Sequence, residues 1–127
     1  MFDPYVFRLA ELQSEAGDLV VGVPIDEYIK EIERCKTYSI EHSGMCVGGA
    51  IMKDERFHIA VLKDFQGLVG FQIIRAMMWG FSISTPFVAI VHKENKPVMR
   101  LVKFFNHQLI GQDAQTLTFA LEPRGGI

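Results

Sequence analysis

The chain has 127 residues, of which 49% are hydrophobic and 22% charged, with a net charge of −2. That length predicts a single domain over residues 1–127 with ample apolar content for a core. The charge excludes general attraction to nucleic acid or an anionic membrane, and no apolar run approaches the roughly 20 residues a membrane-spanning helix needs.

The start, MFDPYVFRLAEL, lacks a basic segment followed by an apolar one, so no signal peptide is read there. Asp3 is placed to cap a helix that Pro4 opens, and Phe2 can staple onto Phe7. Val6, Leu9 and Ala10 give this helix a modest apolar stripe, up to Gly17. Residues 18–23 are β-prone and read as a short strand or an extended connection. A clearer helix begins at Pro24. Ile25, Tyr28, Ile29, Ile32 and Cys35 recur at helical spacing, and Asp26 and Glu27 suit its first turn. Glu27, Lys30, Glu31, Glu33 and Arg34 form its solvated outer face. A meander follows. Residues 37–41 alternate, Ser43-Gly44 turns, residues 45–52 read as a strand, and Lys53-Asp54-Glu55 turns again. Gly48-Gly49 inside that strand predicts a bulge or the close approach of another backbone. Cys35 and Cys46 fit no metal spacing and are expected to be reduced, buried thiols of a cytoplasmic protein.

The rest of the chain is organised around residues 56–80, RFHIAVLKDFQGLVGFQIIRAMMWG. They read as a strand over 57–62, a turn with two glycines over 63–70, and a helix over 71–79, with a further strand at 87–92. The first strand carries Phe57, Ile59 and Val61 on one face and Arg56, His58, Ala60 and Leu62 on the other. In the helix, Phe71, Ile74, Met78 and Phe81 share one side and Ile73 and Met77 an adjacent one, which predicts deep packing. The apolar run 87–91 predicts a strand covered on both faces. Strand, glycine turn, helix, strand is a βαβ unit and makes a parallel strand pair. Its turn offers free backbone N–H groups at the positive end of a helix, which attracts phosphate.

Asn95 can cap a last helix with Pro97 in its first turn and Val98, Leu101, Val102 and Phe105 on its buried face. Residues 107–110 and 116–121 are two short strands around Gly111-Gln112-Asp113, and Arg124-Gly125-Gly126 is a polar tail. The element order is helix, helix, three antiparallel strands, helix, strand, helix, strand, strand. It predicts an α/β (α+β) fold with a mixed, mostly antiparallel sheet, one parallel pair at its middle, and helices on both faces.

This order resembles that of the GNAT family, the acetyl-CoA-dependent N-acetyltransferases, over nearly the whole chain apart from an unclear first strand. Two stretches carry the resemblance locally. Val61-Leu62-Lys63-Asp64-Phe65-Gln66-Gly67 is similar to the family's strand end and the loop that follows it. Asn95-Lys96-Pro97-Val98-Met99-Arg100-Leu101 is similar to the Asn that opens the family's last helix. The family's loop reads Arg/Gln-x-x-Gly-x-Gly/Ala. Here Gln66 fits, Val69 and Phe71 occupy the two small-residue positions, and Gly70 stands one place off. The Tyr that commonly protonates the leaving thiolate falls at Val102, and the Gly-Phe after the last helix becomes Asn106-His107.

The resemblance implies a splayed parallel pair and a CoA site along it. Gln66, Gly67, Leu68, Val69, Gly70 and Phe71 would face the pyrophosphate, whereas the plain alternative is an ordinary strand-to-helix turn. A backbone N–H near Val61 or Leu62 would hold the thioester oxygen. Asn95 would contact the pantetheine arm or simply cap its helix. Acetyl transfer also needs a neutral amine, hence a base. His58 is the best candidate, the alternative being a strand histidine that is hydrogen-bonded in the core or exposed. Glu55 and Asp64 are turn acids expected in solvent, and His107 could stand in as an acid. Lys96, Arg100 and Lys103 form a basic side that could meet CoA phosphates or simply lie in solvent. Ten phenylalanines and six methionines mean core, with room for an adhesive surface, and a homo-oligomer or assembly subunit is expected.

Two functions follow. The first is a GNAT-like N-acyltransferase moving acetyl from acetyl-CoA to an amine, with weak or absent activity because Val69, Phe71 and Val102 remove the loop clearance and the expected acid. The alternative is a catalytically inactive GNAT-fold structural or interaction subunit of a larger assembly, such as a phage virion. No metal is expected, and no acidic cluster identifies the acceptor.

Overall fold

A computed structural model describes residues 1–14 and 22–124 of the chain. Most of the β-prone stretch 18–23 and the last glycines of the tail lie outside the described residues. Helix α1 (Pro4–Leu12) starts as its residues dictate. The Asp3 carboxylate accepts from the amides of Tyr5 and Val6, and the Phe2 ring lies 5.4 Å from Phe7. Helix α2 (Ile25–Glu33) follows, then the meander of β1 (Lys36–His42), β2 (Met45–Lys53) and β3 (Arg56–Val61). A 3₁₀ turn (Lys63–Leu68) leads into α3 (Gly70–Ile83) and then β4 (Phe87–His92). Helix α4 (Lys96–Phe104) and the hairpin β5 (Asn106–Gln112) and β6 (Thr116–Glu122) complete the order.

The strands form one six-stranded sheet in the order β1-β2-β3-β4-β6-β5. Every neighbouring pair is antiparallel except β3 and β4, the parallel pair predicted from the βαβ unit. That pair is in register only at Arg56↔Val88, where the Val88 amide donates to the Glu55 carbonyl at 2.7 Å. Beyond this point the two strands part.

Alternation along β3 sends its side chains into two cores. Phe57 and Val61 join Ala76, Met77 and Phe81 of α3, while Ala60 joins Phe7 and Ala10 of α1 and Tyr28 and Ile32 of α2. Helices therefore cover both faces. The centre of the larger core is a stack of phenylalanines, with Phe87 4.6 Å from Phe57 and 4.4 Å from Phe81. The double glycine does both things expected of it. The β1–β2 register shifts between Ile40 and Glu41, opposite residues 46–48, and Gly48 lies against the backbone of Ala60 and Val61.

Three expectations are corrected. Helix α3 runs to Ile83 rather than stopping at Trp79. Gly80, past the expected end, is a clearance inside the helix, because a Cβ there would meet the rings of Phe57 and Phe87 at 2.8 and 2.9 Å. The buried side of α3 is Ala76, Met77, Gly80 and Phe81, and both Phe71 and Met78 point outward. Strand β4 is not covered throughout, since Ile90 is exposed on the face that α1 and α2 leave bare.

Candidate functional site

The parting of β3 and β4 makes a cleft of about 300 Å³. Ile59, Ala60 and Val61 form its strand wall, Gln13 and Ser14 of the segment after α1 close one side, and Asn95, Pro97, Val98 and Leu101 close the other. Lys63, Gln66 and Ile73 stand at the loop end. A narrower space of about 90 Å³ continues inward and shares Ser14, Ile59, Asn95, Val98 and Leu101 with it. This inner end adds His58, Ile90 and His92 together with the core residues Phe57, Met77, Val102 and Leu121.

Backbone hydrogen bonding decides what β3 offers the cleft. The Leu62 amide donates to the Val47 carbonyl of β2 at 2.8 Å. Successive residues of a strand turn their amides to opposite sides. Ala60 and His58 therefore also face β2, while Val61 and Ile59 turn toward the gap that β4 leaves. Of the Val61 and Leu62 amides, Leu62 is engaged with β2 and Val61 is turned toward the gap. The carboxamide Nε2 of Gln66 donates to the Val61 carbonyl at 3.2 Å, which ties the loop to the strand end. The Gln13 carboxamide oxygen accepts from the Lys63 amide at 2.8 Å, which holds the end of α1 against the same loop.

The N-terminus of α3 faces solvent as a bare dipole. Its N-cap, Val69, makes no side-chain cap, and its first turn carries no acidic residue. By contrast, α1 is capped by Asp3 and α4 by Asn95, whose oxygen accepts from the Val98 amide at 3.3 Å. The first amides of a helix have no intrahelical acceptor and favour an anion. Gly67 and Gly70 flank this end. A Cβ on either would meet nothing within 4 Å, and neither residue has a positive φ. Neither packing nor backbone conformation therefore demands glycine there.

The three side chains suspected of filling the site lie in three different places. Val69 is 1% exposed and belongs to the large core, and Phe71 is 71% exposed with the Arg75 guanidinium 5.1 Å over its ring. Neither lines the cleft, and only Val102 does, at its inner end. Leu68 is exposed beside the loop. His107 lies on β5, with its Nδ1 3.0 Å from the Phe105 carbonyl and its ring against Phe119, away from the cleft. Among the described residues no group of three or more His, Cys, Asp or Glu could hold a metal, and no helix is long and apolar enough to cross a membrane. Cys35 and Cys46 are free and half-buried.

One residue that sequence reasoning passed over sits behind the cleft. Glu11 is only 7% exposed, on the same side of α1 as Phe7 and Ala10. Its Oε2 lies 2.9 Å from His58 Nε2, and its Oε1 accepts from the Tyr28 hydroxyl. Burial, reinforced by that bond, pushes the Tyr28 phenol well above its ordinary value. The signal was there in part, as an acid on an apolar helical stripe that must find a partner when buried.

No protein-family model and no curated protein matches the sequence. Solved structures do match the fold. PH1933 from Pyrococcus horikoshii superposes with a TM-score of 0.68 at 13% identity, covering 98% of this chain and 94% of its own. A Bacillus subtilis acetyltransferase in complex with CoA gives 0.60 at 15% identity, covering 96% and 93%. An IAA acetyltransferase from Bacillus cereus gives 0.52 at 13%, covering 88% and 94%. The mixed sheet with one parallel pair is thus a fold that this chain shares with these acetyltransferases.

Proposed function

We propose that the protein is a CoA-dependent acyltransferase that moves an acetyl group from acetyl-CoA to a small amine. The observation that carries the reading is the junction of the open β3–β4 cleft with the uncapped, glycine-flanked start of α3. Gly67 and Gly70 leave the surface at this junction clear of side chains, as a bound pyrophosphate would need. The residues present fit CoA. The amides of residues 66–71 suit a pyrophosphate, with Lys63 close by. The cleft between Ile59 and Leu101 suits the pantetheine arm, with Asn95 at its wall. The Bacillus subtilis neighbour was solved with CoA, which is consistent with this assignment.

CoA, when bound, supplies an activated thioester. Val61 offers its amide to the thioester oxygen, where negative charge develops. His58 takes the proton that the attacking amine must lose. Val102 can donate no proton, but a thiol titrating near ~8.5 is a tolerable leaving group at neutral pH. The inner space has no carboxylate on its wall and is mostly apolar, so it suits an amine with a small apolar body rather than a polycation.

Thermal unfolding with added CoA tests the reading. A ligand at 100 times its dissociation constant stabilises by about 2.7 kcal/mol. The expected result is a clear upward shift, together with thiol release when acetyl-CoA and benzylamine are both present. No shift at millimolar CoA and no thiol release would sink the transferase and leave the inactive subunit.

A further inference from the structure

We infer that Glu11 and His58 form a carboxylate–imidazole dyad in which Glu11 fixes the tautomer of His58, so that Nδ1 is the atom that accepts the proton. This rests on the transferase reading and names the device that would make His58 a base. The ionised carboxylate of Glu11 can only accept hydrogen bonds. With His58 Nε2 2.9 Å from Glu11 Oε2, the neutral imidazole carries its proton on Nε2 and its lone pair on Nδ1.

The dyad is built across elements. Glu11 comes from α1, His58 from β3, and Tyr28 from α2 donates its hydroxyl to the other Glu11 oxygen. Both carboxylate oxygens are thus satisfied behind the strand, where the Glu11 side chain is 10% exposed, while the His58 side chain is 42% exposed and lines the inner end of the cleft. The edge of the Phe7 ring, centred 6.0 Å from the His58 ring, limits its rotation. A histidine needed only for packing would not require a buried carboxylate, whose desolvation is costly unless it is paired. The same pairing holds the base of a hydrolytic triad in its working tautomer.

The step balances simply. His58 Nδ1 removes one proton from the amine nitrogen as the C–N bond forms and the C–S bond breaks. The imidazolium, held by Glu11, then releases that proton to solvent, and the CoA thiolate takes one up. In this scheme His58 is catalytic and Glu11 is a positioning residue.

Nitrogen NMR of the full-length protein tests the dyad without any activity. The wild type is expected to show His58 as the Nε2–H tautomer with a bare Nδ1. In Glu11→Gln, whose amide can either donate or accept, both tautomers should appear. Tyr28→Phe leaves Glu11 in place and should keep the Nε2–H form. If Glu11→Gln does not fold, the wild-type spectrum decides alone, and an Nδ1–H tautomer overturns the proposal. With acetyl-CoA and benzylamine, His58→Gln should lower kcat at least ~100-fold. Glu11→Gln should lower kcat about tenfold with KM for acetyl-CoA unchanged, a split that a general loss of structure would not give. Full kcat in His58→Gln overturns the dyad. No transfer by wild-type protein whose His58 is Nε2–H overturns the transferase reading instead.

Discussion

Gly48 and Gly49 of β2 and Gly80 of α3 differ from Gly67 and Gly70 of the loop after β3 in what a side chain would meet. At Gly48 a Cβ would run into the backbone of Ala60 and Val61, and at Gly49 into the Phe2 ring and the Tyr38 carbonyl. At Gly80 it would strike two stacked phenylalanines. At Gly67 and Gly70 it would meet nothing. The first group is explained by the folded chain itself, and the second is not. Glycine loses more backbone freedom on folding than any other residue, and at Gly67 and Gly70 the fold gives no packing reason for that cost.

The largest expected effect breaks or sustains the first half of that contrast. Gly48→Val puts three carbons where β2 meets β3, against backbone that cannot rotate away. Overpacking of this kind costs about 3 kcal/mol at its upper end. Urea unfolding should show the midpoint falling sharply with little change in slope. A loss under ~0.5 kcal/mol, the range of surface substitutions, would mean the sheet yields easily and that clearance does not explain its glycines.

Gly67→Val addresses the second half. With open space at the Cβ and no positive φ, stability should change by no more than about 0.5 kcal/mol. Calorimetry should nevertheless show CoA affinity falling at least ~10-fold, about 1.4 kcal/mol, because the new side chain stands where a pyrophosphate would lie. Affinity unchanged by this substitution would place the CoA site elsewhere.

The same contrast explains how much was legible in the sequence. The existence and order of strand β3, helix α3 and strand β4 were readable because their signals are local, and so were the Asp3 and Asn95 caps. The parallel pairing followed from the order of elements. What the sequence concealed depends on partners from other elements. Helix α3 reads locally as ending at Trp79, and only the rings of Phe57 and Phe87 show Gly80 to be a clearance inside it. Val69 and Phe71 read as obstructions on a sequence template, because spacing does not say that one side chain turns into the core and the other into solvent. The exposure of Ile90 was hidden for the same reason, since an apolar strand does not reveal which helix fails to cover it. Glu11 could be suspected from its stripe, but its partners lie on α2 and β3. Which of the two amides at the end of β3 is free of β2 was likewise hidden, because the hydrogen bond from Leu62 to Val47 is set by register.

The smallest expected effect sharpens the contrast at its edge. Phe71 stands beside the open glycines but is a large side chain, and on a sequence template it occupies a position where a small one belongs. It is 71% exposed, and its only ring partner described is the Arg75 guanidinium at 5.1 Å. Such an exposed contact contributes about 0.5–1 kcal/mol, partly offset by the better helix propensity of alanine. Phe71→Ala should therefore leave the unfolding midpoint nearly unchanged. Because the ring does not line the cleft, CoA affinity should stay within about threefold, less than 1.4 kcal/mol. An affinity gain of tenfold or more would show that the ring swings across the start of α3 when a ligand arrives. The clearance at Gly67 and Gly70 would then be that of the resting loop alone, and the weak binding expected from the sequence would have its cause in Phe71.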